Sequence, residues 1–362
     1  MTTITQENIK TELDFIKSSS YQEIAVKIIN TNLDWLTQIN NENSIDQIIE
    51  IRKSLLLKID KMCKDAYYEN NLKALTITHK LLAKIYDRYF IVEKNVTNVF
   101  EISPLVYEIH NWIEKYMLDY EEKQVDQGVF NDCPKNGKDY VKWMRKLINT
   151  HPSKTHPLYK KYMADQSTTE DLRYYMIQES TLDPRFDDIL ALIQVGTSGQ
   201  EKMEIAKNYW DEMGNGDPKS VHSYLFAYAI DELGITKEEI DERVSLEALI
   251  CGNISTSLCL YRHNYYKSIG YFGVTEYLVP FRFNHILKAW KRNNLSDQGI
   301  VYHKLHMAID VEHANDWFNG VIDPVVDRHF ENAIDITRGV VYRLNSSKRY
   351  LDSMAKHFGV FV

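Results

Sequence analysis

The chain has 362 residues, 44% of them hydrophobic and 26% charged, with a formal net charge of -8 and a sequence pI near 5.9. This length leaves room for two domains or one large one, and the acidic balance, with no basic stripe, excludes a nucleic-acid surface built on clustered Lys and Arg. The polar opening MTTITQENIK lacks the blocks of a signal peptide and no uncharged apolar run approaches a membrane span, so a cytoplasmic protein with no membrane partner is expected.

Taken in chain order, nearly every segment predicts helix. Apolar stripes at helical spacing run from Tyr21 to Ile39, through Ile45, Ile48, Ile49, Leu55, Leu56, Ile59, Met62 and Cys63 behind a capping box of Ser44 and Gln47, from Leu72 to Val92 and from Pro104 to Tyr120. Loops are expected near Asn40, Asn70 and Asn95. The aperiodic segment QVDQGVFNDCPKNGK (124–138) reads as a linker, which places a boundary near residue 135 between an amino-terminal helical region, 1–135, and a second helical domain, 136–362. Cys63, Cys133, Cys251 and Cys259 form no C-x-x-C pair and no zinc spacing, so reduced thiols are expected. Alternating β patterns are scarce, and the fold class is all-α.

In the second domain, a capping box of Ser167 and Glu170 opens a helix on which Leu172, Tyr175, Met176 and Glu179 share one face. A helix from Gln200 ends at Glu212 before Gly214, Asn215 and Gly216. The next begins with Pro218 at its first position and carries His222. Along one unbroken helix Glu212 and His222 would stand about 80° apart, so the glycine break must turn them together if both reach one site. A helical stretch from Ser245 to Tyr261 follows, then the run HMAIDVEH. Its residues His306, Asp310 and His313 fall within roughly 60° of one helical face, the arrangement a transition metal needs from one helix. After Pro324 an amphipathic helix runs through Phe330, Ala333, Thr337, Val340 and Leu344.

Together Glu179, Glu212, His222, His306, Asp310 and His313 make three imidazoles and three carboxylates. Mixed nitrogen and oxygen donors suit iron or manganese, and six protein donors fit a dinuclear centre better than a mononuclear one. Each residue alone has a plainer reading as a solvated or hydrogen-bonded side chain. His303, one turn before His306, is a substitute ligand or a hydrogen-bonding neighbour; Glu312, Asp187 and Asp188 read as exposed. Tyr174, Tyr175, Tyr224 and Tyr228 flank the set, mostly as core.

Over roughly residues 140–345 the chain resembles the heme-oxygenase-like diiron oxidases and oxygenases, through HPLYKKYM, QES with Glu179, YWDEMGNGDPKSVHS with Glu212 and His222, and HMAIDVEH. The resemblance implies a helical fold named for heme oxygenase, and a site in which those six residues ligate two Fe(II) ions with O2 as co-substrate. It also implies that His156 stands roughly where a heme-binding relative keeps its axial ligand, although three carboxylates make a poor heme pocket. The amino-terminal region is similar in layout to the dimerisation region of nitrogen-oxygenating members, which implies a homodimer, a small amino-acid-like substrate oxygenated at an amine or guanidine, and an external electron donor; no appended cupin is expected.

Two other readings stand beside this one: the same diiron centre performing desaturation or carbon-carbon cleavage of an aliphatic acid or amino acid, and a metal-free helical binding protein. A basic anchor such as Arg338 or Arg343 would favour an acid-bearing substrate.

Overall fold

The computed structural model describes residues 6–42, 45–92 and 103–360, in which helices alternate with turns and no strand occurs. Compactness divides the chain at Glu121 into the units Met1–Glu121 and Glu122–Val362. The segment expected as a linker therefore belongs to the second unit, where Gln127–Asp132 forms a 3-10 helix whose cap, Asp126, accepts from the Gly128 N–H.

The first unit holds α1 (Gln6–Ser18), α2 (Tyr21–Asn30), α3 (Asp34–Glu42), α4 (Ile45–Tyr67), α5 (Leu72–Asp87) and most of α6 (Pro104–Lys123). Ser20 starts α2 with a capping box, its hydroxyl accepting from the Glu23 N–H at 3.2 Å while Glu23 accepts from the Ser20 N–H at 2.8 Å. The single stripe expected from Tyr21 to Ile39 is two helices, because Asn32 and Leu33 adopt φ of 50° and 68°. Ile24, Ile28, Leu36 and Ile39 are nonetheless all buried, which is why periodicity alone reads straight through the break. α3 carries on through Asn40 to Glu42, while Asn70, at φ 51°, makes the expected turn before the Asn71 cap of α5. The Ser44–Gln47 capping box and the loop near Asn95 lie outside the described residues. α2, α4 and α5 pack mutually through Ile24, Ile28, Ile51, Leu55, Ile59, Leu81 and Leu82, each such side chain contributing roughly 1.5–3 kcal/mol by leaving water.

The second unit holds α7 (Gly137–Thr150), a π-helical turn at Leu158–Met163, α8 (Thr169–Glu179), α9 (Phe186–Ile193), α10 (Gly199–Glu212), α11 (His222–Glu232), α12 (Lys237–Arg243), α13 (Leu246–Leu260), α14 (Tyr265–Arg292), α15 (Val301–Asp316), α16 (Asp323–Arg328) and α17 (Ala333–His357). The cap of α8 is one residue later than expected. Ser167 spends its hydroxyl on the Met163 carbonyl at 2.7 Å, and Thr168 and Asp171 form the capping box. Pro218 lies in the turn before α11 rather than at its first position, and Val221 is the cap.

α14 packs against both α15 and α17. Gly270 and Gly339 permit the second contact: a Cβ on Gly270 would collide with the Ile336 carbonyl, and one on Gly339 with the Lys267 carbonyl. The close approach brings the inner faces of α14 and α17 over the end of α8, and α15 closes against α11. This frame positions the site.

Candidate metal centre

α15 buries His306, Asp310 and His313, as their spacing requires. α10 ends at Glu212, and the chain reverses through Gly214, Asn215 and Gly216, all at positive φ, to start α11 at His222. A side chain at Gly214 would strike the Ser220 backbone, so the turn closes only with glycine there. The turn brings His222 Nδ1 to 2.7 Å from Glu212 Oε2, and His306 Nε2 lies 3.5 Å from Glu212 Oε1. These three residues form one buried triad whose donor atoms lie within 4.8 Å of one another.

A second triad on the same criterion joins Asp310 and His313 to Glu276 of α14. His313 Nδ1 stands 3.6 Å from Asp310 Oδ1 and 3.8 Å from Glu276 Oε2. Sequence reasoning missed Glu276. Its one signal is a lone acid in the apolar run GYFGVTEYLVPF, beside a proline, Pro280, that leaves the Glu276 carbonyl without its helical donor. Glu179 stands outside both triads, at the end of α8, where Oε1 accepts from the Tyr350 hydroxyl at 2.5 Å.

The imidazoles are aimed from behind. His306 Nδ1 faces the Tyr302 carbonyl at 2.9 Å and His313 Nε2 faces Asp211 at 2.9 Å, so each ring gives one N–H away and turns its other nitrogen into a triad. Asn208 donates to Glu276 Oε1 at 2.8 Å. Among the described residues His222 Nδ1, Asp310 Oδ1 and His313 Nδ1 are buried without a hydrogen bond, although other donors and acceptors stand close by. Buried polar atoms are nearly always satisfied. Close atoms that converge without bonding one another are the mark of a shared missing partner, and imidazole with carboxylate is a donor set for a divalent transition metal. The residues fit iron.

Charge tells the same story. Burial opposes charge on His306, but Asp310 and Glu212 outweigh it and raise the group to about 10. His313 is likewise raised to about 9 against burial, by Asp310, Glu276 and Asp211. Burial would lift Glu212, yet the imidazoles of His222 and His306 bring it down to about 2, whereas Glu276 is pushed up to about 8 by burial and then by Asp310. Protons on imidazole here supply the positive charge that the carboxylates require.

Residues 173–348 match a family model described as iron-containing redox enzyme. That region is similar to this family, which supports the heme-oxygenase-like fold. The match supports an iron oxidoreductase, and both triads lie within the matched residues. No curated protein matches the chain. No helix among the described residues is long and apolar enough to cross a membrane.

Other expected residues fall elsewhere. His156 uses both ring nitrogens, Nε2 at 3.2 Å from Asp352 and Nδ1 accepting from the Leu158 N–H, and has none left for an axial bond. His303 is buried against Phe283 with neither nitrogen hydrogen-bonded, so it does not support a ligand in the way its spacing allowed. Glu312 is exposed and pairs with Lys207. Arg338 is taken by Glu122 at 3.0 Å and Asp335 at 2.8 Å.

Proposed function

We propose that the chain is a non-heme diiron oxygenase that uses O2 to oxygenate the nitrogen of an amine or guanidine on an amino-acid-like substrate. The observation that carries the reading is the pair of adjoining His/carboxylate triads in which His222 Nδ1, Asp310 Oδ1 and His313 Nδ1 have no hydrogen-bond partner among the described residues. Glu212, His222 and His306 would hold one Fe(II), and Glu276, Asp310 and His313 the other, with Glu179 the nearby carboxylate that Tyr350 holds ready to join them. Iron, when bound, supplies the redox chemistry for activating O2.

The chain's own groups do the rest. The Tyr302 carbonyl and Asp211 hold the protons of His306 and His313 on the nitrogens that face away from the triads, which keeps both rings neutral as ligands. Burial of all six triad residues keeps bulk water from the reacting groups. Electrons beyond those of the substrate come from an external donor. The helical region 1–135 is assigned to homodimerisation, a role supported by the exposed apolar Ile49, Leu57 and Tyr107; a single-chain mass by light scattering would remove it.

Anaerobic loading with Fe(II) should give two irons per chain by elemental analysis, followed by O2 consumption on mixing. Protein that takes up no iron after reconstitution would leave only the binding-protein reading. Mass spectrometry of products from a panel of amines, guanidines and aliphatic acids should find a mass gain of oxygen at nitrogen; a dehydrogenated or chain-shortened product would replace nitrogen oxygenation with the carbon chemistry.

A further inference from the structure

Beside the triads lies a second buried polar cluster that the metal reading does not use. Arg282 of α14 and Arg343 of α17 are almost fully buried, and among the described residues neither guanidinium has an ion-pair partner. Each is positioned by neutral groups instead. Arg282 donates to the Ser347 hydroxyl at 2.5 Å and lies 5.7 Å from the Tyr159 ring centre, and Arg343 lies 5.4 Å from that of Tyr271. The Nε of each arginine is buried with no hydrogen bond, and so are the hydroxyls of Tyr159 and Tyr175, whose rings meet edge to face at 6.3 Å.

Four elements contribute to this cluster, and their registers agree. Arg343, Ser347 and Tyr350 stand at i, i+4 and i+7 on one face of α17; Tyr175 and Glu179 stand at i and i+4 on α8. Tyr350 binds Glu179, which ties the cluster to the metal side. Glu179 and the neighbouring Asp183 are half-buried beside this cluster. Asp183 Oδ2 is itself buried without a partner.

Two buried guanidiniums without a contacting ion pair are unfavourable unless something compensates them, and the single Glu179 carboxylate, which acts on both from beyond contact, offsets one charge of the two at most. On Arg282, Arg343, Tyr159 and Tyr175 the unmet groups are donors or can donate, guanidinium N–H and phenol O–H, while the unmet Asp183 Oδ2 stands on the Glu179 side. A planar carboxylate accepts from both kinds at once, and arginine is the side chain shaped to hold it. We propose that Arg282 and Arg343, with the hydroxyls of Tyr159 and Tyr175, hold a carboxylate of the substrate, so that the rest of the molecule extends past Glu179 toward the triads. The assignment rests on the oxygenase reading and narrows its substrate to an acid bound by its carboxylate end. It also sorts the two basic anchors marked in the sequence: Arg343 is free for the role, and Arg338 is committed to Glu122 and Asp335.

The test is thermal-shift titration of the full chain, iron-free and again after anaerobic Fe(II) loading, with L-arginine, L-lysine and hexanoate against argininamide, lysinamide and hexanamide, and with inorganic phosphate. At least one carboxylate should raise the melting temperature while its amide does not, and Arg343→Met or Arg282→Met should weaken that ligand by ~30-fold or more, the scale for truncating one partner of a buried charge pair. Should an arginine variant fail to fold, Tyr175→Phe keeps the test open, with weaker carboxylate binding expected and an unchanged melting temperature for the free protein. Carboxylates and amides acting alike, phosphate binding better than every carboxylate, no ligand binding at all, or full affinity retained in the variants would each overturn the assignment. The amide contrast in iron-free protein is independent of iron uptake, so a failed anion site and a failed metal centre give different results.

Discussion

The two units bury charge in different ways. In the first, α2, α4 and α5 close over a core of Ile, Leu and Met, and a buried ionisable group such as His79 meets a neutral partner, the Tyr67 hydroxyl at 3.0 Å. In the second, Glu212, His222, His306, Glu276, Asp310, His313, Arg282 and Arg343 all lie in the interior, and several of their polar atoms have no hydrogen-bond partner among the described residues. Apolar packing accounts for most of the first unit, with the buried Glu114 and His110 of α6 as the exception. The second carries buried charge that the proposed iron and substrate would complete.

The sharpest way to break this comparison is to remove a triad residue. Asp310→Ala or Glu212→Ala should abolish stoichiometric iron loading, and Asp211→Asn, which touches only the back of His313, should weaken it by ~10–100-fold. Iron retained at full stoichiometry in Asp310→Ala would show that the buried charges serve the fold and nothing else. Loading should also release protons, since His306 and His313 are held protonated to about 10 and about 9 in the metal-free chain. Iron affinity should therefore rise with pH through the neutral range, and a pH-independent affinity between 6 and 8 would argue against those imidazoles as ligands.

The converse change belongs in the first unit. Ile59 of α4 is fully buried among apolar neighbours, and Ile59→Ala should cost ~2–5 kcal/mol in denaturant unfolding through lost burial and the cavity left behind. Iron uptake per folded chain should stay at the wild-type value. A variant that loses iron in proportion to stability would show that the units do not divide the labour as described.

How much of this was legible in the sequence follows from the same contrast. Amphipathic periodicity reports helices that have one wet face, and it found α2 to α6 of the first unit, passing over α1, expecting a loop near Asn40 where α3 continues, and missing the break at Asn32 and Leu33 because the apolar stripe continues across it. In the second unit His306, Asp310 and His313 were readable because one helix carries all three, and Glu212 and His222 because a glycine turn joins them. Glu276 was not. α14 is enclosed by neighbours along most of its length, so its sequence lacks a polar face against which an inward acid would stand out. Pairing was not legible either: that Glu276 shares a triad with His313 while Glu179 is held by Tyr350 depends on how α8, α14 and α17 pack, which no local spacing encodes.

The smallest effect tests a perturbed carboxyl of the first unit. Glu114 of α6 accepts a hydrogen bond from Tyr86 and is pushed up to about 7, chiefly by burial, while His110 one turn earlier is lowered to about 4 by burial. A carboxyl whose folded value exceeds its unfolded one binds protons more tightly in the folded chain, so Glu114 withdraws stability as pH rises from 4.5 to 7. His110 acts in the opposite sense and withdraws stability as pH falls from 6.5 to 4. The two largely offset one another in wild type over the window they share. Glu114→Gln keeps an acceptor for Tyr86 and removes only the carboxyl's titration, so the variant should gain on wild type by up to about 3 kcal/mol between pH 4.5 and 7.5. Paired thermal melts across that range would show the gap opening with pH. A gap that stays constant would mean that Glu114 titrates normally and that the first unit buries no charge at a cost, which would make the contrast with the second unit sharper still.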